Sequence, residues 1–245
     1  MIPIRDTVPS RCLPVATLGL IAVNVLIFLQ QRSLSPAMQE RLVFLFGLVP
    51  LRYTAPDLAS QYGVPPGDGW PFLTHMFLHA NWPHLIGNMW TLWIFGDNVE
   101  DRMGPVRFLL FYLLGGLAAA AAQLYAIPLA SVPMVGASGA VAAVLGAYFL
   151  LYPTARVIAL VPVFFYPLFV AVPAATYLLV WFLSQWWAGW LSSFAPTRGG
   201  GIAWWAHIGG FVFGLAAHRL FVGRRRVCRR RARDEWAWEE FWQRW

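Results

Sequence analysis

Charge is scarce in this chain: only 12% of its 245 residues are Asp, Glu, Lys or Arg. Soluble domains carry about 25% charged residues, so a soluble globular domain is excluded as the main body of the protein. The 59% hydrophobic content and mean hydropathy of +0.56 place the chain in the membrane class instead. Cysteine is nearly absent. Cys12 and Cys228 lie near opposite ends, outside the apolar runs, with no CxxC or zinc-finger spacing. That excludes a CxxC redox centre or a zinc finger, and a disulfide across the fold is not expected. A zinc protease would present His-Glu-x-x-His. Here His75-Met76-Phe77-Leu78-His79 has the two histidines without the glutamate, so no metal and no cofactor are expected. Internal repeats and charges near the bilayer centre are also lacking, which weakens a transporter reading.

The net charge of +7 is concentrated in Arg224, Arg225, Arg226, Arg229, Arg230, Arg231 and Arg233, just after the last apolar run. A polybasic segment at that place suits the headgroups of a lipid bilayer. No nucleic-acid role is expected, because no recognition fold accompanies the arginines.

Windows of about 20 residues identify six apolar spans, at about 13–30, 83–99, 106–125, 136–152, 157–188 and 202–222. The fold class expected is all-α: a polytopic membrane protein of six transmembrane helices with a long membrane-associated first loop. The first run follows Arg5 and Arg11 but is long and lacks a small-residue cleavage site, so it reads as a retained span. The fifth stretch is too long for one span and contains Pro162, Pro167 and Pro173. Its first part, 157–172, reads as partly interfacial or re-entrant, with the true span near 173–187.

Arginine placement sets the orientation. Arg5, Arg11, Arg102, Arg107, Arg156, Arg219 and the tail arginines fall on one side, and only Arg32, Arg41, Arg52 and Arg198 on the other. Both termini are therefore expected in the cytoplasm. The organisation is a cytoplasmic N-terminus at 1–12, a membrane domain at 13–222 and an Arg/Trp-rich cytoplasmic tail at 223–245. Within the membrane domain, residues 31–82 form the first outer loop. This loop mixes Leu42, Val43, Phe44, Leu45 and Phe46 with the helix breakers Pro50, Pro65, Pro66 and Gly67. Its length and aromatic content predict a structure lying in the membrane interface.

Polar side chains in hydrocarbon are costly, so those within spans are candidates for function. Ser138 opens the fourth span within Gly136-Ala137-Ser138-Gly139, and His207 opens the sixth within Ala206-His207-Ile208-Gly209-Gly210. His84 and Asn88, four apart on the second span, share a helical face. With the arginine topology, all four fall at similar depth below the outer surface. Small residues (Gly139, Ala142, Ala143 and Gly146; Gly210 and Gly214) would let spans four and six pack closely and bring Ser138 to His207. A serine needs a nearby base to act as nucleophile, and an imidazole supplies one. No Asp or Glu lies in span four or six, which predicts a Ser138–His207 dyad. The Ser138 N–H, the Asn88 amide and the His84 ring are the candidate oxyanion donors.

The ordered set His84-Leu85-Ile86-Gly87-Asn88, Gly136-Ala137-Ser138-Gly139 and Ala206-His207-Ile208-Gly209-Gly210-Phe211-Val212-Phe213-Gly214 resembles the rhomboid family of intramembrane serine proteases. Glu100-Asp101-Arg102 also looks like a family feature. The resemblance implies a six-helix core with a water-filled site opening outward in a bacterial plasma membrane. It implies Ser138 as nucleophile, His207 as base, and His84, Asn88 and Gly136 around the oxyanion or substrate. It further implies single-pass transmembrane proteins as substrates, cut in or near their spans through an acyl-enzyme, with span five gating their lateral admission. A catalytically silent rhomboid-like binder or adaptor is the alternative. The chain departs from the family pattern twice. A Trp-Arg pair in the first loop is replaced by Trp70-Pro71, and the aromatic residue four after the nucleophile is Ala142. The first bears on how the loop is anchored, the second on how His207 is held.

Overall fold

Prolines set where many of the helices begin. The computed structural model describes residues 1–65, 67–163, 166–194 and 202–223. Along it run strand β1 (Ile2–Asp6), helix α1 (Val15–Ser33), four short helices α2 (Pro36–Phe46), α3 (Pro50–Thr54), α4 (Pro56–Gln61) and α5 (Pro71–Thr74), and a 3-10 turn, His75–Phe77. Long helices α6 (Trp82–Met103), α7 (Pro105–Ala126) and α8 (Ser138–Leu151) follow, then strands β2 (Arg156–Val163) and β3 (Tyr166–Pro173), and helices α9 (Ala174–Ser192) and α10 (Trp204–Phe221). The tail arginines and tryptophans from 224 onward, and Arg198, lie outside the described residues.

Helices α1 and α7 are each long and apolar enough to cross a membrane by length and composition, and α8 is apolar but shorter. The other long helices spend positions on groups that lower their hydropathy: His84, Asn88, Asp97, Glu100 and Asp101 in α6, Gln185 with four tryptophans in α9, and His207, His218 and Arg219 in α10.

The first loop is built rather than loose. Pro36, Pro50, Pro56 and Pro71 each stand in the first turn of a helix, where the fixed φ and missing N–H cost nothing. Pro50, expected as a breaker, thus starts α3. Buried Arg52 donates to the Phe44 carbonyl at 2.5 Å and packs so tightly on Gly67 that a Cβ there would come within 2.2 Å of its Cδ. Thr74 Oγ1 donates to the Phe46 carbonyl at 2.7 Å. These contacts anchor the loop without an arginine after Trp70. The loop in turn grips the segment before α8. Leu48 and Met134 exchange backbone hydrogen bonds at 3.0 and 2.7 Å, and Gly136 N donates to the His75 carbonyl at 2.8 Å.

At the opposite end, Glu100 accepts from Ala16 N (3.0 Å), Thr17 N (2.8 Å) and Thr17 Oγ1 (2.9 Å), capping α1 from a neighbouring helix. Asp101 accepts from Arg11 N and Cys12 N, and Gly223 N donates to the Arg102 carbonyl. The Glu100-Asp101-Arg102 run therefore ties together the start of α1 and the ends of α6 and α10. Cys12 is disulfide-bonded, against the expectation from sequence.

The all-α expectation needs a second correction. Residues 157–172, expected as partly interfacial or re-entrant, form an antiparallel hairpin, and β1 joins it to give a three-stranded sheet in the order β1-β2-β3. β-Branched residues recur through it (Val157, Ile158, Val161, Val163, Val170, Val172), which favours extended backbone over helix. Pro162 and Pro167 face one another near the tip. β1 runs along α6: Asn98 Nδ2 donates to Asp6 at 2.8 Å and Trp90 Nε1 to the Pro3 carbonyl at 2.6 Å. Tyr148 of α8 also donates to Asp6, at 2.5 Å. Burial outweighs these donors and pushes the Asp6 carboxyl up to about 6.

Candidate active site

Small residues bring α7, α8 and α10 together. A Cβ on Gly210 would stand 2.0 Å from the Gly139 carbonyl oxygen, one on Gly214 2.1 Å from that of Ala143, and one on Gly146 2.2 Å from that of Phe211. The backbones of α8 and α10 therefore touch without intervening side chains. On the α7 side, a Cβ on Gly139 would stand 2.5 Å from the Ala119 Cβ, so a small side chain fills that contact.

Ser138 is the first residue of α8 and His207 lies in the first turn of α10. The close crossing sets His207 Nε2 2.7 Å from Ser138 Oγ, the expected juxtaposition. His207 is buried and Ser138 partly so. The Ser138 N–H is one of the first four amides of α8, which have no acceptor within the helix.

Asn81 caps α6, its side chain accepting from His84 N at 2.9 Å, and Pro83 sits in the first turn. That start sets the phase of α6, so that His84 and Asn88 face Gly136 one turn apart. A Cβ on Gly136 would lie 2.6 Å from His84 Cε1 and Nε2 and 3.6 Å from Asn88 Nδ2. Gly136 also has φ +124°, a conformation that L side chains rarely adopt. Asn88 donates to His79 Nε2 at 3.0 Å, and its second N–H remains for another acceptor. His79 can accept because burial holds its pKa down to about 3, leaving the ring neutral. His75 is likewise held near 4 by burial, with Nδ1 2.8 Å from the Pro71 carbonyl. The His75 and His79 pair thus serves the loop and the Asn88 side chain. The structure brings Ser138, His207, His84, Asn88 and Gly136 to one place.

Two groups at this place escaped the sequence reading. Gln185 of α9 is buried, with Oε1 2.7 Å from His207 Nδ1. Trp181, one turn earlier, lies against the same imidazole at 6.0 Å between centroids and 31° between planes. An aromatic from α9 thereby lies against the imidazole although position 142 is alanine. Trp204 meets the imidazole edge-on at 6.2 Å. The four-residue spacing of Trp181 and Gln185 puts both on one face of α9, a signal present in the sequence that points to the site only once α9 is known to pack beside His207.

Chemically, a hydroxyl hydrogen-bonded to a neutral imidazole nitrogen, beside a helix-start amide and a carboxamide, can attack a carbonyl carbon and stabilise the oxyanion that forms.

The family model for the Rhomboid domain matches residues 66–224. Curated relatives include Rhomboid protease GluP of Bacillus subtilis (strain 168), 40% identical over 34% of this chain and 16% of its own length. Rhomboid-like protein 11, chloroplastic, of Arabidopsis thaliana is 44% identical over 29% of this chain and 25% of its own. Rhomboid protein 1, mitochondrial, of Saccharomyces cerevisiae is 31% identical over 57% of this chain and 38% of its own. The chain spans less than half the length of the curated relatives it matches.

Proposed function

The chain belongs to the rhomboid family, and from that premise we propose that it is an intramembrane serine endopeptidase acting on single-pass transmembrane proteins in or near their spans. The observation that carries this reading is the 2.7 Å contact between Ser138 Oγ and His207 Nε2. His207 takes the hydroxyl proton as Ser138 Oγ bonds to the scissile carbonyl carbon. The Ser138 N–H, the Asn88 amide and the His84 ring donate to the oxyanion, beside Gly136. As the C–N bond breaks, His207 returns the proton to the leaving amine, and an acyl-enzyme remains on Ser138. Water, deprotonated by His207, then hydrolyses the ester and frees the serine.

In this reading α1 and α6 to α10 are six membrane crossings. Both termini are cytoplasmic, following the arginine distribution, and the site opens to the outer side. Residues 13–222 are the membrane domain, with 31–82 as its first outer loop and 223–245 as a cytoplasmic tail. The bacterial relative supports a bacterial plasma membrane, and the mitochondrial and chloroplastic names among the relatives make fractionation the test of that point. For the nucleophile, a serine-directed fluorophosphonate should label the wild-type protein and leave Ser138→Ala unlabelled. Equal labelling of the two proteins would remove Ser138 from its role.

A further inference from the structure

The imidazole of His207 is held on both nitrogens, and the second hold comes from a helix that carries neither reacting group. Nδ1 lies 2.7 Å from Gln185 Oε1 on α9. The direction of that hydrogen bond follows from the groups beyond it. The Trp181 carbonyl oxygen can only accept, and it lies 2.6 Å from Ser184 Oγ, so the single hydroxyl proton of Ser184 points there. Ser184 Oγ must then accept from Gln185, whose Nε2 is 3.0 Å away. This fixes the amino end of the carboxamide toward Ser184 and its oxygen toward His207. An oxygen at that place accepts from Nδ1–H, which leaves Nε2 unprotonated and facing the Ser138 hydroxyl. The chain of donors is self-consistent from Ser138 to the α9 backbone. It selects, of the two neutral imidazole tautomers, the one able to act as base.

We propose that Gln185 is a positioning residue that sets the tautomer and ring orientation of His207, so that α9 supplies the third member of the site that no carboxylate on α8 or α10 provides. Trp181, one turn before Gln185, lies tilted against the same ring, 6.0 Å between centroids and 31° between planes, and restricts its rotation. The inference rests on the reading of Ser138 and His207 as nucleophile and base. A neutral amide orients the imidazole without lending it a negative charge, and that difference separates Gln185 from a carboxylate in measurable terms.

The test compares wild type, Gln185→Leu and Gln185→Glu in detergent, using a single-span peptide substrate, with thermal unfolding recorded for each. Gln185→Leu keeps the volume and removes the acceptor. Its kcat should fall on the order of 10- to 100-fold, the worth of one buried hydrogen bond, with KM unchanged and the unfolding temperature preserved. Gln185→Glu keeps the acceptor and adds charge. It should retain turnover while the acidic limb of its pH–rate profile moves to higher pH. A readout independent of catalysis is the 15N spectrum of His207: protonated Nδ1 in the wild type, and a tautomer mixture in Gln185→Leu. Unchanged kcat and an unchanged nitrogen spectrum in Gln185→Leu would overturn the proposal. So would a loss in both variants that tracks a fallen unfolding temperature, since that is a packing role. If the wild type neither cleaves nor takes up fluorophosphonate, the reading of the dyad fails, while the nitrogen spectrum still reports whether Gln185 sets the tautomer.

Discussion

Replacing Gly210 with alanine tests whether the α8–α10 approach creates the reactive pair. Gly210 stands three residues after His207 and faces the Gly139 carbonyl, one residue after Ser138. A Cβ there would lie 2.0 Å from that oxygen and 3.0 Å from its carbon. Both are backbone atoms of a buried helix and cannot rotate aside. Real Cβ contacts essentially never fall below 3.0 Å, so the two helices must part locally by at least about 1 Å. The Ser138–His207 contact, 2.7 Å in the wild type, would open beyond a hydrogen bond. Misplacement of that size costs about 100-fold in rate. Stability moves less, because overpacking of about 1–3 kcal/mol is offset by roughly 1 kcal/mol of helix propensity gained on leaving glycine. Gly87→Ala is the control, since a Cβ on Gly87 meets nothing within 4 Å. It should label as wild type does and unfold at an equal or higher temperature. The assay is the rate of fluorophosphonate labelling, with thermal unfolding in detergent alongside. Wild-type labelling by Gly210→Ala, with its fold intact, would refute the reasoning.

Other perturbations probe the parts that hold the site. Asp6 is raised to about 6 by burial, so the fold favours its protonated form. Its contribution is fully present below its ordinary value of 3.8 and is lost as pH rises through about 6, a change of roughly 3 kcal/mol. The stability gap between Asp6→Asn and wild type should therefore widen from about pH 4 to 6 and then stay constant; a gap that does not vary with pH would contradict this. Glu100→Ala leaves two α1 amides and the Thr17 hydroxyl without their acceptor, and should cost about 3 kcal/mol by denaturant titration. A change under about 0.5 kcal/mol would mean that water replaces the cap. Arg52→Met orphans the Phe44 carbonyl and frees the contact with Gly67. Limited proteolysis between residues 44 and 67 should quicken, whereas an unchanged cleavage rate would show that the loop is held elsewhere.

The site residues were legible because they violate their surroundings. Ser138, His207, His84 and Asn88 are polar groups near the heads of apolar runs, and the glycines of spans four and six predicted the approach of α8 to α10. Gln185 gave no such signal. It sits among Trp181, Trp186, Trp187 and Trp190, where a polar residue reads as interfacial. Its meaning depends on which face of α9 packs against the start of α10, and that pairing is not written in the apolar content of the span. The hairpin was missed for a related reason. A hydropathy window sums apolar content without regard to period, and 157–172 is as apolar as a span while being richer in β-branched residues. Pro50 reads as a breaker from sequence because a proline's role depends on its position. At the first turn it initiates, and only the neighbouring structure says which turn is first.

The most direct measurement is cleavage of a single-span transmembrane substrate by wild type, Ser138→Ala and His207→Ala side by side, with the folding of each verified. The account predicts two fragments from the wild type and none from either variant, all three remaining folded. Cutting that persists in Ser138→Ala, or a wild type that captures the substrate and releases it whole, would contradict it.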